Sequence, residues 1–182
     1  MNLMTRMMKQ RSLPLMLLAF TVVALGAAFI AGRLYSYNQA PALVLVSLNN
    51  EKIDLLSLRG RPVLITFWAT DCASCITEIP HLAALHHKYH RQGLVILGIT
   101  LFYDPPIRVA AAVKQHAIPY PVILDLDRKI VRAFKLQHVL TPTSLLIAPS
   151  GEIVLHKIGV LDQVALERQL DSWQHLPAHS TL

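Results

Sequence analysis

The sequence predicts an α/β domain in which helices cover both faces of a mixed β-sheet. Apolar, β-rich segments such as Val63–Trp68 alternate along the chain with segments of helical periodicity. Residues 143–147 and 153–158 are joined by Pro149-Ser150-Gly151, a turn sequence typical of a β-hairpin, so we expect these two segments to form the last, closing hairpin of the sheet. With 53% hydrophobic and only 15% charged residues, the chain is neither a disordered tail nor a coiled coil.

The elements of this domain follow from local patterns along the chain. An N-terminal hairpin pairs residues 43–48 with 53–58 across the turn Asn49-Asn50. Val63–Trp68 is apolar throughout, as expected for a central strand buried on both faces. A helix is predicted from Ala73 to about Arg91, with a kink at Pro80 and an end at Gly93. The later elements are a strand at 94–100, a helix at 104–116, a strand at 121–124, a helix at 127–134, the closing hairpin and a helix at 164–173.

The N-terminal segment has a different character. Leu13–Gly32 is a run of 20 uncharged residues, which as a helix spans roughly 30 Å, the thickness of bilayer hydrocarbon. Three basic residues precede the run, and Arg33 alone follows it closely. The positive-inside rule therefore predicts a cytoplasmic N-terminus and an exported domain. A cleaved signal peptide is the alternative, and the length of the run favours an uncleaved anchor.

These patterns divide the chain into five segments. We expect a cytoplasmic N-terminus at 1–12, a transmembrane anchor or signal-anchor at 13–34, a linker at 35–42, a folded domain at 43–176 and a flexible tail at 177–182. In a bacterium with two membranes, the protein would cross the inner membrane once and hold its domain in the oxidising periplasm. All acidic residues lie beyond residue 37, so the folded part is nearly neutral. We therefore expect no basic patch and no nucleic-acid partner.

The two cysteines, Cys72 and Cys75, concentrate the chemistry. At positions i and i+3 in the first helical turn, they lie close enough to form a disulfide after a small backbone adjustment. The helix N-terminus would stabilise a thiolate on Cys72. Cys72 is therefore the expected attacking sulfur in thiol–disulfide exchange, and Cys75 the resolving one. A structural disulfide would constrain so short a loop little, and a zinc site would need two further ligands.

The sequence resembles the TlpA-like thiol–disulfide oxidoreductases, which are membrane-anchored proteins of the thioredoxin fold. The resemblance covers about residues 41–174. It rests on Phe-Trp-Ala-Thr-x-Cys-x-x-Cys-x-x-Glu-x-Pro at 67–80, Leu-Arg-Gly-Arg-Pro at 58–62, Leu-Thr-Pro-Thr at 140–143 and Ile-Ala-Pro-Ser-Gly at 147–151. It implies a thioredoxin-like fold with an extra N-terminal hairpin, and a cis-proline at Pro142 packed beside the disulfide.

The resemblance also implies roles for residues around the cysteines. The backbone of Thr141, beside Pro142, would pair with a substrate strand, and Trp68 would pack against the site and take part in substrate binding. Glu78 matches an acidic position near the active site of several family members, where it could relay a proton to Cys75. The alternative for Glu78 is an ordinary surface glutamate paired with Lys or Arg.

Two positions depart from the family pattern. Asp71 stands where the family often has tryptophan, and Ser74 where it often has proline. A carboxylate at Asp71 opposes the helix dipole beside Cys72 and destabilises its thiolate. A less stable thiolate makes the pair more reducing, so we expect a reductase rather than an oxidant.

A reductase of this kind implies partners. Its substrates would be proteins containing disulfides, and its electrons would come from a membrane thiol carrier, without a bound cofactor or metal. Cytochrome c maturation and general thiol repair both remain open as cellular roles.

Three alternatives are kept. A thiol peroxidase of the peroxiredoxin kind would normally have Thr or Ser where Ala69 stands. A copper chaperone could use Cys72, Cys75 and His138, although such proteins typically have a CxxxC spacing. A binding module could keep the scaffold without turnover. His86 and His90, one turn apart, could bind a metal but are expected to lie on a solvated helix face.

Overall fold

The computed structural model describes residues 17–18, 20–27, 38–136 and 138–174. It contains two compact units, Met1–Gln39 and Ala40–Leu182. In the first unit, residues 17–18 and 20–27 are helical and their side chains are exposed. Across the described residues, no helix has both the length and the apolar character that crossing a bilayer requires. The predicted N-terminus at 1–12, the tail at 177–182 and the remaining parts of the predicted anchor and linker before residue 38 lie outside the described residues.

The second unit is built from strands and helices in the predicted alternation. Its elements are β1 (Val44–Val46), β2 (Lys52–Asp54), β3 (Val63–Trp68), α1 (Ala73–Tyr89), β4 (Val95–Thr100), α2 (Pro106–Gln115), β5 (Val122–Leu124), α3 (Lys129–Ala133), β6 (Thr143–Ile147), β7 (Ile153–Ile158) and α4 (Gln163–Gln174).

A mixed sheet of five strands forms the centre of this unit, in the order β5-β4-β3-β6-β7. Strand β3 pairs in parallel with β4, and β4 pairs in parallel with β5. The closing hairpin adds β6 antiparallel to β3 and β7 antiparallel to β6. Strands β1 and β2 form a separate antiparallel hairpin. This is the thioredoxin-like arrangement with the extra N-terminal hairpin that the resemblance implies.

The central strand β3 is buried on both faces, as its apolar sequence predicts. Because side chains alternate along a strand, its residues divide between the two sides of the sheet. Ile65 and Phe67 pack with the hairpin and with α3. Leu64 packs with α1 and α4, and Trp68 with α1 and α2. The sheet is therefore covered on both faces.

One local prediction needs correction. Leu55–Leu58, predicted as the end of the second strand, is a 3-10 helix, because the Asp54 carboxylate accepts the Leu56 N–H at 3.0 Å and turns the chain. Helix α1 runs unbroken from Ala73 to Tyr89 with Pro80 inside it. The chain then passes through a short 3-10 helix and turns at Gly93, whose φ of 103° is a left-handed conformation that glycine adopts at little cost.

Candidate active site

Cys72 and Cys75 lie at the junction between β3 and α1. Cys72 is the N-cap residue of α1, and its sulfur accepts a hydrogen bond from the Cys75 N–H at 3.2 Å. The two sulfurs are joined in a disulfide, with the Cα atoms 5.2 Å apart. Cys72 is half-buried, whereas Cys75 is only 3% exposed. A partner can therefore reach Cys72 more easily than Cys75.

Ser74 adds a polar group to this helix terminus. Its hydroxyl lies 3.4 Å from the Cys72 sulfur. In the family pattern proline is frequent at this position, and proline has no hydroxyl to offer. The hydroxyl and the Cys75 N–H can both donate to a thiolate on Cys72 when the pair is reduced.

Asp104 holds the loop that precedes Cys72. Its carboxylate accepts the Thr70 N–H at 2.7 Å and the Thr70 hydroxyl at 2.6 Å. Asp104 is 3% exposed and belongs to the loop between β4 and α2. The sequence pattern places Asp104 only at the start of a helix. A partner 34 residues away leaves no local signal that could have identified the contact.

Tyr103 connects the loop that leads into Cys72 with the loop that contains Thr141 and Pro142. Its hydroxyl interacts with the side chains of Asp71 and Thr141. Burial is the main cause that raises the pKa of Tyr103, and the charges of Asp71 and Asp104 raise it further. The Thr141–Pro142 peptide bond is cis, as the resemblance implies. Tyr103 thus brings together two loops that the sequence analysis connected only through the resemblance.

Trp68 lies beneath this surface rather than on it. It is 3% exposed and packs with Cys75, Ile79 and Val109. The predicted packing of Trp68 against the site is confirmed, but a direct contact with substrate does not fit a buried side chain. Gly98 supports this position, because a Cβ added there would lie 3.1 Å from the indole nitrogen of Trp68.

Glu78 is buried one helix turn after Cys75. It is 3% exposed, and its carboxylate accepts the Leu161 N–H at 2.7 Å. Desolvation raises the pKa of Glu78, while the Leu161 hydrogen bond and the charge of His81 oppose this. The alternative of a surface glutamate paired with Lys or Arg is wrong. The proton-relay role stays a prediction, although a buried acid with a raised pKa suits it.

His86 and His90 lie at the C-terminal end of α1, whereas the cysteines lie at its N-terminal end. The rings of His86 and His90 are stacked with centroids 5.1 Å apart. His86 is half-buried, so the expected solvated face is only partly correct. His138, the third residue of the copper alternative, is exposed. Within residues 17–18, 20–27, 38–136 and 138–174, no group of three or more potential ligands could hold a metal ion.

Comparison with known proteins identifies the family. Residues 37–156 match the AhpC/TSA family. The thiol-disulfide oxidoreductase ResA of Halalkalibacterium halodurans is 31% identical over 160 residues, which cover 84% of this chain and 89% of that protein. ResA of Bacillus subtilis is 31% identical over 69% of each chain. A thiol:disulfide interchange protein of the thioredoxin family from Chlorobium tepidum has a similar fold, with a TM-score of 0.68 at 24% identity over 75% of this chain and 96% of that one.

The relatives and the geometry agree on the chemistry. The curated relatives are named for thiol–disulfide exchange, which favours neither the peroxidase nor the copper-chaperone alternative. The site has the two features that exchange requires, an accessible sulfur at a helix terminus and a second sulfur bonded to it. The chain belongs to the AhpC/TSA family and, within it, is a thiol–disulfide oxidoreductase of the ResA type.

Proposed function

We propose that the protein reduces disulfides of partner proteins outside the cytoplasm, with Cys72 as the attacking sulfur and Cys75 as the resolving sulfur. The observation that carries this proposal is the difference in burial within one disulfide: Cys72 is half-buried at the N-cap of α1, and Cys75 is 3% exposed. A substrate sulfur has to reach the attacking residue, whereas the resolving residue only has to reach its neighbour.

The reductive cycle begins with both cysteines as thiols. The Cys72 thiolate attacks one sulfur of the substrate disulfide, a mixed disulfide forms, and the other substrate sulfur leaves as a thiolate that takes up a proton. Cys75 then loses its proton and attacks the Cys72 sulfur, which restores the Cys72–Cys75 disulfide and releases the second substrate thiol. Two electrons pass from the protein to the substrate, and two substrate thiols result.

The surrounding residues serve separate steps of this cycle. The helix terminus and the Ser74 hydroxyl stabilise the Cys72 thiolate before attack. Glu78, one turn after Cys75, accepts the proton that Cys75 must lose, directly or through water. The backbone of Thr141, held by the cis bond to Pro142, pairs with the substrate strand. Asp71, beside Cys72, makes the pair more reducing.

The location and the electron source belong to the same proposal. The predicted anchor at 13–34, which contains the uncharged run Leu13–Gly32, holds the protein in the bacterial inner membrane, with the domain in the periplasm. There the disulfide has to be reduced again after each cycle, and a membrane thiol carrier is the electron donor that this position allows. What supports this part is the length of the run and the basic residues before it.

Insulin reduction tests the direction of the reaction. The full-length protein with dithiothreitol should precipitate insulin much faster than dithiothreitol alone, and the variant C72S should not. In the complementary assay the oxidised protein should refold a reduced, disulfide-requiring substrate poorly. Efficient oxidation of that substrate without reduction of insulin would contradict a reductase and indicate an oxidant.

A further inference from the structure

The positive charges of the folded unit are not evenly distributed, although Lys and Arg together are nearly as many as Asp and Glu. Arg128, Lys129 and Arg132 lie on and immediately before α3, and all three are exposed. Because residues three apart share one face of a helix, Arg132 is a neighbour of Lys129, and its N–H donates to the carbonyl of the N-cap residue Arg128 at 3.0 Å. The nearly balanced net charge of the folded unit does not reveal this local concentration of cations. Arg128, Lys129 and Arg132 form the basic surface of the domain.

The acidic groups near the basic surface do not neutralise it. Asp125 is 1% exposed, and its carboxylate accepts the N–H groups of Ile130 and Val131 at 2.9 Å. Asp127 is exposed and accepts the Lys129 N–H at 3.1 Å. No carboxylate of the described residues forms an ion pair with any of the three cations. Within residues 125–133, three exposed positive charges therefore stand against one exposed carboxylate, that of Asp127. The exposed carboxylate of Asp71 interacts with the Tyr103 hydroxyl, on the cysteine side of the aromatic residues.

Two aromatic rings connect the basic surface to the active site. The Arg128 guanidinium lies over the Phe102 ring, 4.6 Å from its centroid. Phe102 in turn contacts Tyr103 edge to face, with centroids 5.6 Å apart. The basic surface therefore begins within about 10 Å of the Tyr103 ring, or about three residues of extended chain at roughly 3.3 Å each. Phe102 and Tyr103 are 47% and 48% exposed, so a partner can contact both.

We propose that the basic surface binds an acidic segment of the protein whose disulfide reacts at Cys72. This proposal rests on the proposed function and specifies its substrate class: partners with Asp or Glu about three to five residues from the reactive cysteine. Complementary charge mainly accelerates encounter and orients the partner. An anionic lipid surface is less suited to this position, because a bilayer on the basic surface would also cover the aromatic pair and hinder access to Cys72.

Two matched peptides test the proposal on the full-length, reduced protein. Each carries one cysteine in a mixed disulfide with 2-mercaptoethanol, flanked on both sides by three Glu in one peptide and three Gln in the other. Release of the peptide thiol gives a second-order rate constant, which is divided by the rate constant of the same peptide with dithiothreitol to remove intrinsic reactivity. At an ionic strength of about 20 mM, where screening is weak, we expect the acidic peptide to react about tenfold faster.

The variant R128Q/K129Q/R132Q should lose this preference to within about twofold, whereas R91Q/K114Q/R168Q removes the same number of exposed cations from other elements and should keep it. Salt at about 0.5 M should abolish the preference in the wild-type protein. Reduction of bis(2-hydroxyethyl) disulfide, which is uncharged, should be the same in all three proteins.

Every other outcome contradicts the proposed binding of an acidic segment. Equal rates for the two peptides, or a preference that survives in R128Q/K129Q/R132Q, would overturn the proposal. Equal loss of the preference for the acidic peptide in both triple variants would also overturn the proposal, because the net charge of the protein would then explain the preference without this surface. Binding of vesicles containing phosphatidylglycerol that depends on Arg128, Lys129 and Arg132, without a peptide preference, would assign the surface to lipid instead. Failure to reduce bis(2-hydroxyethyl) disulfide would contradict the proposed function itself and not only its substrate class.

Discussion

Asp104 and Thr70 are joined by two hydrogen bonds, one to the Thr70 backbone at 2.7 Å and one to its hydroxyl at 2.6 Å. The contact links the loop after β4 to the loop that leads into Cys72. Hydrogen bonds to a charged acceptor contribute about 1.5–3 kcal/mol each, and their loss leaves the donors without a partner. Asp104 therefore supports both the stability of the fold and the position of the attacking sulfur.

Replacement of Asp104 by Ala should lower the free energy of unfolding by about 2–4 kcal/mol, because both Thr70 donors lose their acceptor. The variant D104N keeps one acceptor oxygen and should lose about half as much. Urea denaturation measures both values, and insulin reduction should be slower in D104A than in D104N. A loss below about 0.5 kcal/mol in D104A would show that the contact is not needed for the fold.

The variant E78Q separates the stability effect of Glu78 from its kinetic effect. Burial raises the pKa of Glu78 above the ordinary value of 4.5, so the charged form destabilises the fold. The wild-type free energy of unfolding should therefore fall as pH rises from about 4.5 through the raised pKa. E78Q, which can still accept the Leu161 N–H, should not show this fall.

The variant E78Q also tests the role of Glu78 in the rate of thiol–disulfide exchange. If Glu78 takes the proton from Cys75, the pH dependence of the exchange rate should lose one ionisation in E78Q. E78D, which keeps a carboxylate, is the matched control and should retain that ionisation. An exchange rate with unchanged pH dependence in E78Q would remove Glu78 from the mechanism.

The stacked histidines of α1 predict a loss of stability in acid. Desolvation lowers the pKa of His86, and the charges of His90 and His87 lower it further. Below the ordinary value of 6.5 the unfolded chain therefore binds more protons at this site, and the free energy of unfolding falls as pH decreases. H86Q should show a smaller fall between about pH 7 and 5, measured by urea denaturation at each pH.

A matched control for this prediction is H156Q, at an exposed histidine on β7. H156Q should keep the wild-type slope of stability against pH. Equal slopes in H86Q and the wild-type protein would contradict the burial of a neutral His86.

Replacement of Asp71 by Asn should make the cysteine pair less reducing. Removal of the carboxylate beside Cys72 stabilises its thiolate and therefore the reduced form, which raises the reduction potential. Because the group is exposed and screened, the rise should be roughly 5–20 mV. Equilibration with glutathione buffers measures it. An unchanged potential together with an unchanged pKa of the Cys72 thiol would exclude Asp71 as a determinant.

Much of the architecture could be predicted because its signals are local. The apolar run Val63–Trp68, the turn at Gly93 and the hairpin around Gly151 each specify their own element, and all three are present. The sequence predicts a strand at Leu55–Leu58 because the apolar pattern of these residues suits one. The turn that the chain makes there depends instead on one hydrogen bond, from the Leu56 N–H to the Asp54 carboxylate.

The site could be predicted only where its residues are neighbours in sequence or where the resemblance supplied a role. Cys72 and Cys75 follow from spacing, and the cis-proline at Pro142 followed from the resemblance alone. The Tyr103 contacts and the Leu161 partner of Glu78 join segments far apart in the chain, and side-chain burial depends on those partners. The same reason explains why Glu78 could also be interpreted as a surface residue.

Trapping of the mixed disulfide shows which sulfur attacks the substrate, Cys72 or Cys75. The full-length variants C75S and C72S, each reduced, are incubated with insulin or with a peptide disulfide and analysed by mass spectrometry after acid quenching. We expect a stable mixed disulfide at Cys72 in C75S and little or none at Cys75 in C72S. Equal trapping in both variants, or trapping mainly at Cys75, would contradict this expectation.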